Sequence, residues 1–436
     1  MKRFLSPVKY QMKAPRDVDG LSGSVILPCG IQSHTLERRD LSKHKHLGYR
    51  IIDPQMYYSG LTASMCRKAC ANLATYGWFN AANLPKFDSS EFRQRDYSMK
   101  LKANIHRIWP KAMASNANDI YRLSSLCIGT QKHLGCDAIL LPTSLIIDQG
   151  EDLDSQIRWL DLGLESADCY QCESPVYATI AISDTALRSI KPEQNVLLDV
   201  IIDQITSRKF TGVYLVIEQT SESGYYCMHP NTVGSLLRLV WGFKLGGIKD
   251  VILGPMGLLG YLSLAAGADA WTAGWYRGER RIKMTDMESD DNETKMSSPT
   301  YYSHPLASEI HTGDDLDAVA KLGIFETIKD ITLESRGLIE ALQNGRSAKS
   351  VPEWKYSPSN VTAARAHFSR SVASATKKIA EMNTSDLVQH IHNWIANADE
   401  LASKIKEERN CKPRTELNHQ ANWLEAFVAF RKYAGI

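Results

Sequence analysis

Residues 212–255, GVYLVIEQTSESGYYCMHPNTVGSLLRLVWGFKLGGIKDVILGP, contain two short apolar segments separated by a stretch of helical period. Residues 212–218 and 250–255 have the length and the β-branched content of buried strands. Residues 233–245 place apolar side chains at helical spacing. A strand, a helix and a second strand in this order form a βαβ unit, whose strands are parallel. This stretch therefore predicts an α/β fold.

The same alternation extends from about residue 24 to residue 275. It predicts eight strands, at residues 24–29, 49–53, 76–80, 137–142, 176–183, 212–218, 250–255 and 269–274. Helices are predicted at 62–74, twice within 91–133, and at 152–166, 195–208, 233–245 and 257–266. Eight strands separated by helices predict a (β/α)8 TIM barrel. The alternative is an open doubly wound sheet, which has less support because no GxGxxG turn follows any strand.

The composition changes after the last predicted strand. Residues 285–299, TDMESDDNETKMSSP, are acidic and polar, which predicts a flexible solvated loop, with a functional lid as the alternative. Helical patterns follow at 314–329, 333–343, 360–380, 384–409 and 415–433. The predicted organisation is a barrel over residues 1–284, the acidic loop over 285–299, and a helical C-terminal region over 300–436.

Composition and charge exclude several classes of protein. Hydrophobic residues make up 43% and charged residues 23%, as in ordinary globular proteins rather than disordered ones. The net charge of +2 gives no global reason to bind nucleic acid or an acidic membrane. The nine cysteines are scattered, and neither a signal-peptide run nor an apolar stretch of about 20 residues occurs. These features predict a cytoplasmic protein.

The active site of such a barrel lies where the strands end, because the loops converge there. Carboxylates, amides and an arginine beside aromatic rings suit a planar ligand with hydrogen-bonding edges. The predicted substrate-binding residues at these ends are Gln55, Thr143, Ser183, Asp184, Glu218, Gln219, Gly254, Trp275, Tyr276 and Arg277. Helix capping is the alternative for some of them, and for Asp184 above all.

Two acidic positions carry the strongest signal. Asp53 follows an apolar strand and precedes Pro54, which ends regular structure, so its carboxylate is predicted to point into the barrel mouth. The alternative is an aspartate that stabilises the turn. Glu218 and Gln219 end an almost wholly apolar strand, where a carboxylate is costly unless it is solvated or paired.

Other motifs give weaker or negative signals. Cys169 and Cys172 form a lone CxxC with no second pair, so we predict no metal, and no motif points to a cofactor. No GxSxG, HExxH, DFG or Walker A sequence occurs. The turn at 254–257 suits an anion, a base edge or simply a tight turn. The arginines at 277, 280 and 281 suit a phosphate or a base, or an ion-pair network with Glu279.

Residues 249–281, KDVILGPMGLLGYLSLAAGADAWTAGWYRGERR, combine a strand ending at Gly254, an Ala-rich approach to Asp269 and an aromatic residue, Trp271. This segment resembles the seventh and eighth βα units of the tRNA-guanine transglycosylase family. Ile51-Ile52-Asp53 is similar to the family's apolar-apolar-Asp run, and the resemblance implies that Asp53 acts in acid-base catalysis. It also implies a guanine or 7-deazaguanine ligand, with Glu218 and Gln219 on the base edge and Trp275 or Tyr276 stacked on the ring.

Two departures from the family pattern limit what the resemblance implies. The family's nucleophilic aspartate would fall at Thr272, the second predicted catalytic position, and a neutral hydroxyl is a poor substitute. The family's cysteine-rich zinc segment, which supports tRNA binding, is absent from the sequence. These departures argue against tRNA as a substrate and indicate altered or lost base exchange.

The resemblance further implies a homodimer, and a setting in a DNA-modification or anti-phage defence gene cluster, with a protein partner from the same operon. Two alternative functions remain open at this stage. One is a non-catalytic scaffold or interaction barrel, which predicts that side chains fill the mouth. The other is an unrelated (β/α)8 enzyme that uses Asp53 and Glu218 as an acid-base pair on a small phosphorylated substrate.

Overall fold

The structure is a computed structural model that describes residues 2–8, 18–38, 48–81, 83–85, 94–110, 113–148, 150–220, 226, 229–288, 299–355, 360–407 and 417–436. The side chains of Gln94 and Arg277 lie outside this description. Most of the predicted acidic loop, at 289–298, also lies outside the described residues.

Nine strands belong to one parallel sheet. They are β1 (Arg3–Val8), β2 (Leu21–Ile26), β3 (Tyr49–Ile52), β4 (Ile139–Leu140), β5 (Leu145–Ile146), β6 (Val176–Ser183), β7 (Gly212–Glu218), β8 (Asp250–Pro255) and β9 (Ala270–Thr272). The helices between them are α1 (Ser33–Glu37), α2 (Arg67–Leu73), α3 (Gln94–Ile108), α4 (Ala117–His133), α5 (Glu151–Cys169), α6 (Asp184–Arg188), α7 (Val196–Thr206), α8 (Pro230–Leu245) and α9 (Leu259–Ser263).

The sheet forms a nearly closed barrel with eight strand positions, in the order β3-β2-β1-β9-β8-β7-β6-β4. Strands β4 and β5 share one position, because they pair with the first and second parts of β6. Between β4 and β3, the Asp137 amide donates to the Arg50 carbonyl at 2.9 Å. The Arg50 amide donates to the Asp137 carboxylate at 2.7 Å. The predicted (β/α)8 fold with C-terminal helices is confirmed.

One predicted strand is wrong, and two strands, β1 and β5, were missed. Residues 76–80 contain a 3-10 turn, Gly77–Phe79, that ends in Asn80 with a left-handed φ of 50°. The aromatic residues there suggested a strand, but the Trp78 indole instead donates to the Pro54 carbonyl at 3.0 Å. The strand that completes the barrel is β1, which pairs with both β2 and β9.

Side chains alternate between the two faces of the barrel wall. Trp271 of β9 faces outward, where its indole donates to the Thr376 hydroxyl at 3.0 Å. Ala270 and Thr272, its neighbours on β9, therefore face the interior. Tyr214 of β7 also faces inward, since its hydroxyl reaches Asp53 just after β3. The interior is thus a packed core, as is usual for this fold.

The sequence predicted a helical C-terminal region, but this region also contains a short β-hairpin. An antiparallel hairpin, β10 (Thr300–Ser303) with β11 (Ser308–His311), precedes the helices. Its register pairs Thr300 with His311 at one end and Ser303 with Ser308 next to the turn, in a stretch too short to show a clear strand pattern. The helices are α10 (Asp314–Lys321), α11 (Phe325–Ile328), α12 (Arg336–Gln343), α13 (Thr362–Ile379), α14 (Thr384–Glu407) and α15 (His419–Ala434).

Helices α13, α14 and α15 pack on the outside of the barrel. Their buried side chains, including Phe368, Trp394 and Trp423, belong to the same hydrophobic core as Phe4 and Trp271 of the barrel strands. The hairpin and α10 to α12 enclose a second core around Tyr301 and Trp354. The predicted boundaries at residues 284/285 and 299/300 stay predictions. Among the described residues, no helix is both long and apolar enough to cross a bilayer.

Candidate functional site at the carboxyl end of the barrel

Asp53 lies directly after β3 and is fully buried inside the mouth of the barrel. Its Oδ2 accepts hydrogen bonds from the Tyr57 hydroxyl at 2.6 Å and the Tyr214 hydroxyl at 3.1 Å. Its Oδ1 accepts from the Gln55 amide at 3.0 Å. Burial raises the pKa of Asp53 to about 6, and the three hydrogen bonds limit that rise. The carboxyl group can therefore both donate and accept a proton near neutral pH.

Gln55 shapes the turn that holds Asp53 in this position. Its backbone is left-handed, with φ at 53°, and its side-chain Oε1 accepts from the Cys29 amide at 2.7 Å. The neighbouring Asn72 donates to the Cys29 carbonyl at 2.8 Å. These bonds fix the end of β2 against the turn after β3. Gln55 thus holds this turn in place, and its predicted contact with the substrate stays a prediction.

Glu218 ends β7 and is a second carboxyl group with a raised pKa. Burial is the main cause, and the like charge of Asp184 adds to it. The register of β6 and β7 sets Ser183 beside Glu218, and the Ser183 hydroxyl donates to Oε2 at 2.9 Å. The Met284 amide also donates to the Glu218 carboxylate. The predicted residues Ser183, Asp184 and Glu218 are therefore brought together.

A segment that we call the strap, residues 280–288, lies over the end of β7. The Gln219 amide donates to the Ile282 carbonyl at 2.7 Å, and Glu218 and Ile282 form a parallel bridge. Ile282 is buried in the same core as the interior side chains of the barrel. Within the strap, Arg281 and Asp286 form an ion pair at 2.9 Å.

Tyr58 links the two acidic groups. It is fully buried, and its pKa is raised well above 10, mainly by burial and also by the nearby acidic groups of Cys29, Asp53, Glu218 and Asp286. Asp53 and Glu218 thus both lie near enough to act electrostatically on one phenol. The candidate site is the group of these three side chains at the barrel mouth.

We single out three of the buried polar atoms at this end that have no hydrogen-bond partner among the described residues. They are the hydroxyl oxygens of Thr143 and Thr272 and the Oε1 of Gln219. All three side chains are at most 4% exposed. A buried polar group without a partner costs free energy, so such groups often mark a position where a ligand supplies the missing hydrogen bond.

The predicted basic and aromatic residues after β9 have other partners. Arg280 forms a buried ion pair with Glu309 of β11 at 2.8 Å and packs over the Phe368 ring. Arg281 pairs with Asp286, as described above, so both arginines are engaged by carboxylates rather than exposed for a phosphate. Trp275 is half-buried, and Tyr276, also half-buried, carries the Arg365 guanidinium over its ring. The Arg277 side chain lies outside the described residues.

Sequence reasoning found the acidic residues but missed the tyrosines. Tyr57, Tyr58 and Tyr214 complete the site, and Tyr57 carried a detectable signal, since it lies four residues after Asp53. Tyr214 carried no such signal, because it lies 161 residues from Asp53 along the chain. Gly254 lies against Tyr214 and Val216, where a β-carbon would stand 3.1 Å from the Tyr214 oxygen.

The comparisons with known proteins assign no family to this chain. Within the described ranges, no three or more His, Cys, Asp and Glu side chains form a group that could hold a metal ion. No protein-family model matches the sequence, and no curated protein matches it significantly. The fold and the site geometry are therefore the basis for assigning a function.

Proposed function

We propose that this chain is a transglycosylase-like barrel that binds a guanine or 7-deazaguanine base at its carboxyl end. The observation that carries the proposal is the fully buried Asp53, whose pKa of about 6 suits proton exchange with a base. Its position after β3 is where the family resemblance puts an acid-base aspartate. The proposal includes a role in nucleobase modification linked to anti-phage defence, without RNA.

The proposed roles follow from the chemistry of each group. Asp53 exchanges a proton with the bound base. Glu218 and Gln219 read the base edge, since a carboxylate accepts from N–H donors and the Gln219 Oε1 lacks a partner among the described residues. Trp275 and Tyr276 are half-buried at the rim, which suits a ring that stacks on a ligand.

Thr272 determines whether base exchange survives. It faces the interior and is fully buried, at the position where the resemblance expects the nucleophile. A threonine hydroxyl needs an adjacent base to act as a nucleophile, and no described residue accepts a hydrogen bond from it. We therefore propose a base-binding protein in which exchange is altered or lost, acting as a homodimer with a partner encoded in the same operon.

A second candidate function, a barrel without catalysis that serves as a scaffold, is favoured by one observation. Asp53, Thr272 and Glu218 are at most 7% exposed, and Tyr57, Tyr58 and Ile282 of the strap are buried together in one core. Ligand entry would require the strap to move away from Glu218 and Gln219. A scaffold needs no such movement.

Calorimetric titration of the purified protein with guanine and 7-deazaguanine separates the two candidates. The proposal predicts saturable binding of at least one base, weakened at least tenfold by Asp53→Asn. If neither base binds at up to millimolar concentration, the ligand assignment is wrong and the scaffold function takes its place.

A further inference from the structure

We infer that Tyr214 is the positioning residue of the Asp53 carboxyl group: its phenol, reaching across the barrel from β7, orients Asp53 so that proton exchange with the base takes place at Oδ1. This inference rests on the proposed function, because it names the atom through which Asp53 would act. It concerns a residue that touches Asp53 and not the base.

The contact between Tyr214 and Asp53 spans the interior of the barrel. Strands β3 and β7 are separated by four strands on one side of the ring and by the β6 and β4 positions on the other. The 3.1 Å hydrogen bond from the Tyr214 hydroxyl therefore ties the turn after β3 to the opposite wall. Tyr57 donates to the same oxygen, but it belongs to the same turn as Asp53 and cannot fix that turn relative to the wall.

The number of acceptor positions on the carboxylate identifies the free oxygen. A carboxylate has roughly four acceptor positions, two on each oxygen. The two phenols occupy both positions on Oδ2, and the Gln55 amide occupies one on Oδ1. One acceptor position, on Oδ1, is left without a donor from the described residues. Because the Tyr57 and Tyr214 phenols have pKa values raised well above 10, both remain donors at any physiological pH.

Gly254 provides the space that this arrangement needs. A β-carbon at residue 254 would lie 3.1 Å from the Tyr214 oxygen and 2.9 Å from Cγ2 of Val216. Both distances are below an ordinary van der Waals contact, so any side chain there would push the phenol away from Asp53. The glycine on β8 and the tyrosine on β7 thus act together to set the position of the carboxyl group.

The test follows the protonation of Asp53 directly, without a ligand. The carboxylic acid has an infrared carbonyl band, which Asp53→Asn identifies by its loss, and titration of that band gives the midpoint. Tyr214→Phe removes a donor to the charged form, so the midpoint should move upward from about 6. Tyrosine fluorinated on its ring is a stronger donor, and its incorporation at 214 should move the midpoint downward. Gly254→Ala, which crowds the Tyr214 phenol, should also move the midpoint upward.

The outcomes separate this inference from the proposed function. A midpoint that stays at its wild-type value in the Tyr214→Phe and fluorotyrosine proteins overturns the positioning role, even if guanine binds. Should Tyr214→Phe fail to fold, the fluorotyrosine protein decides the matter alone. Conversely, shifted midpoints in a protein that binds neither guanine nor 7-deazaguanine would support the Tyr214–Asp53 link and reject the proposed function. With binding intact, the pH profile of guanine affinity should shift with the midpoint.

Discussion

The two ends of the barrel each place an aspartate among tyrosines, but only one of these aspartates has a cation beside it. At the amino end, Asp250 accepts from the Tyr177 hydroxyl at 2.7 Å and pairs with Arg3 at 3.6 Å. At the carboxyl end, Asp53 accepts only from neutral donors, and the described residues include no lysine or arginine paired with it. The Arg3 guanidinium offsets the charge of Asp250, whereas a buried carboxylate without a cation is poised to take up a proton.

The largest expected effect concerns the ion pair that holds the carboxyl end to the hairpin. Arg280 and Glu309 are both at most 5% exposed, so Glu309→Gln leaves a buried guanidinium without its counter-charge. We expect the free energy of unfolding to fall by about 3 kcal/mol or more. Denaturant unfolding of the wild type and of Glu309→Gln measures this change in the free energy of unfolding.

The matched control is at the other end of the barrel. Arg3 and Asp250 are partly exposed, so Arg3→Met should cost about 1 kcal/mol or less. Equal losses in the two variants would mean that the two ends do not differ in how deeply they bury charge.

The next effect is the pH dependence contributed by Asp53. Its pKa in the folded protein, about 6, lies above the usual 3.8, so the folded state binds the proton more tightly. This contribution is fully present below about pH 3.8 and is lost as the pH rises through 6, a change of about 3 kcal/mol. The stability difference between wild type and Asp53→Asn should therefore change by most of that amount between pH 4 and pH 7. A difference that stays constant over this range would contradict the raised pKa of Asp53.

A buried histidine in the C-terminal region should show the opposite sign. His419 stacks on Tyr226 and bonds to the Ala307 carbonyl at 2.9 Å, and burial lowers its pKa to about 3. The unfolded chain then binds the extra proton, so stability is present above about pH 6.5 and is lost as the pH falls toward 3. We expect a loss of about 2 kcal/mol at pH 5, which His419→Gln should remove. If His419→Gln loses as much stability as the wild type when the pH falls from about 6.5 to 5, this prediction is wrong.

The smallest effect compares the two faces of β9. The Thr272 hydroxyl is buried inside the barrel without a partner among the described residues, so Thr272→Val should leave stability unchanged or raise it by up to about 1 kcal/mol. On the outer face, Thr376 accepts from Trp271 and donates to the Val372 carbonyl at 2.9 Å. Thr376→Val should therefore cost about 1 kcal/mol. A larger loss for Thr272→Val than for Thr376→Val would show that the inner hydroxyl has a structural partner.

The alternation of apolar segments was enough to predict the fold, and two of the errors in the barrel have physical causes. Residues 3–8 contain Pro7, which lacks an amide donor, and so did not look like a barrel strand. Residues 76–80 are rich in aromatic side chains, as strands are, but those side chains bond to loop carbonyls: the Tyr76 hydroxyl donates to Ile31 at 2.8 Å. In both cases a contact that is distant in sequence decided the local structure.

Only those site residues whose positions follow from the order of the strands along the chain could be predicted. Asp53 and Glu218 were found because they end apolar strands, and parallel strands bring such ends together. The burial of Asp53 by Tyr214, and the engagement of Arg280 by Glu309, depend on packing between segments that no local pattern connects.

The most direct test of the difference between the two ends is the guanine affinity of Asp53→Asn compared with that of Asp250→Asn, measured by calorimetry on proteins shown to be folded. We expect Asp53→Asn to weaken binding at least tenfold and Asp250→Asn to bind like wild type. Equal affinities in the two variants would contradict this expectation, because the carboxyl end would then hold no acid that the base recognises.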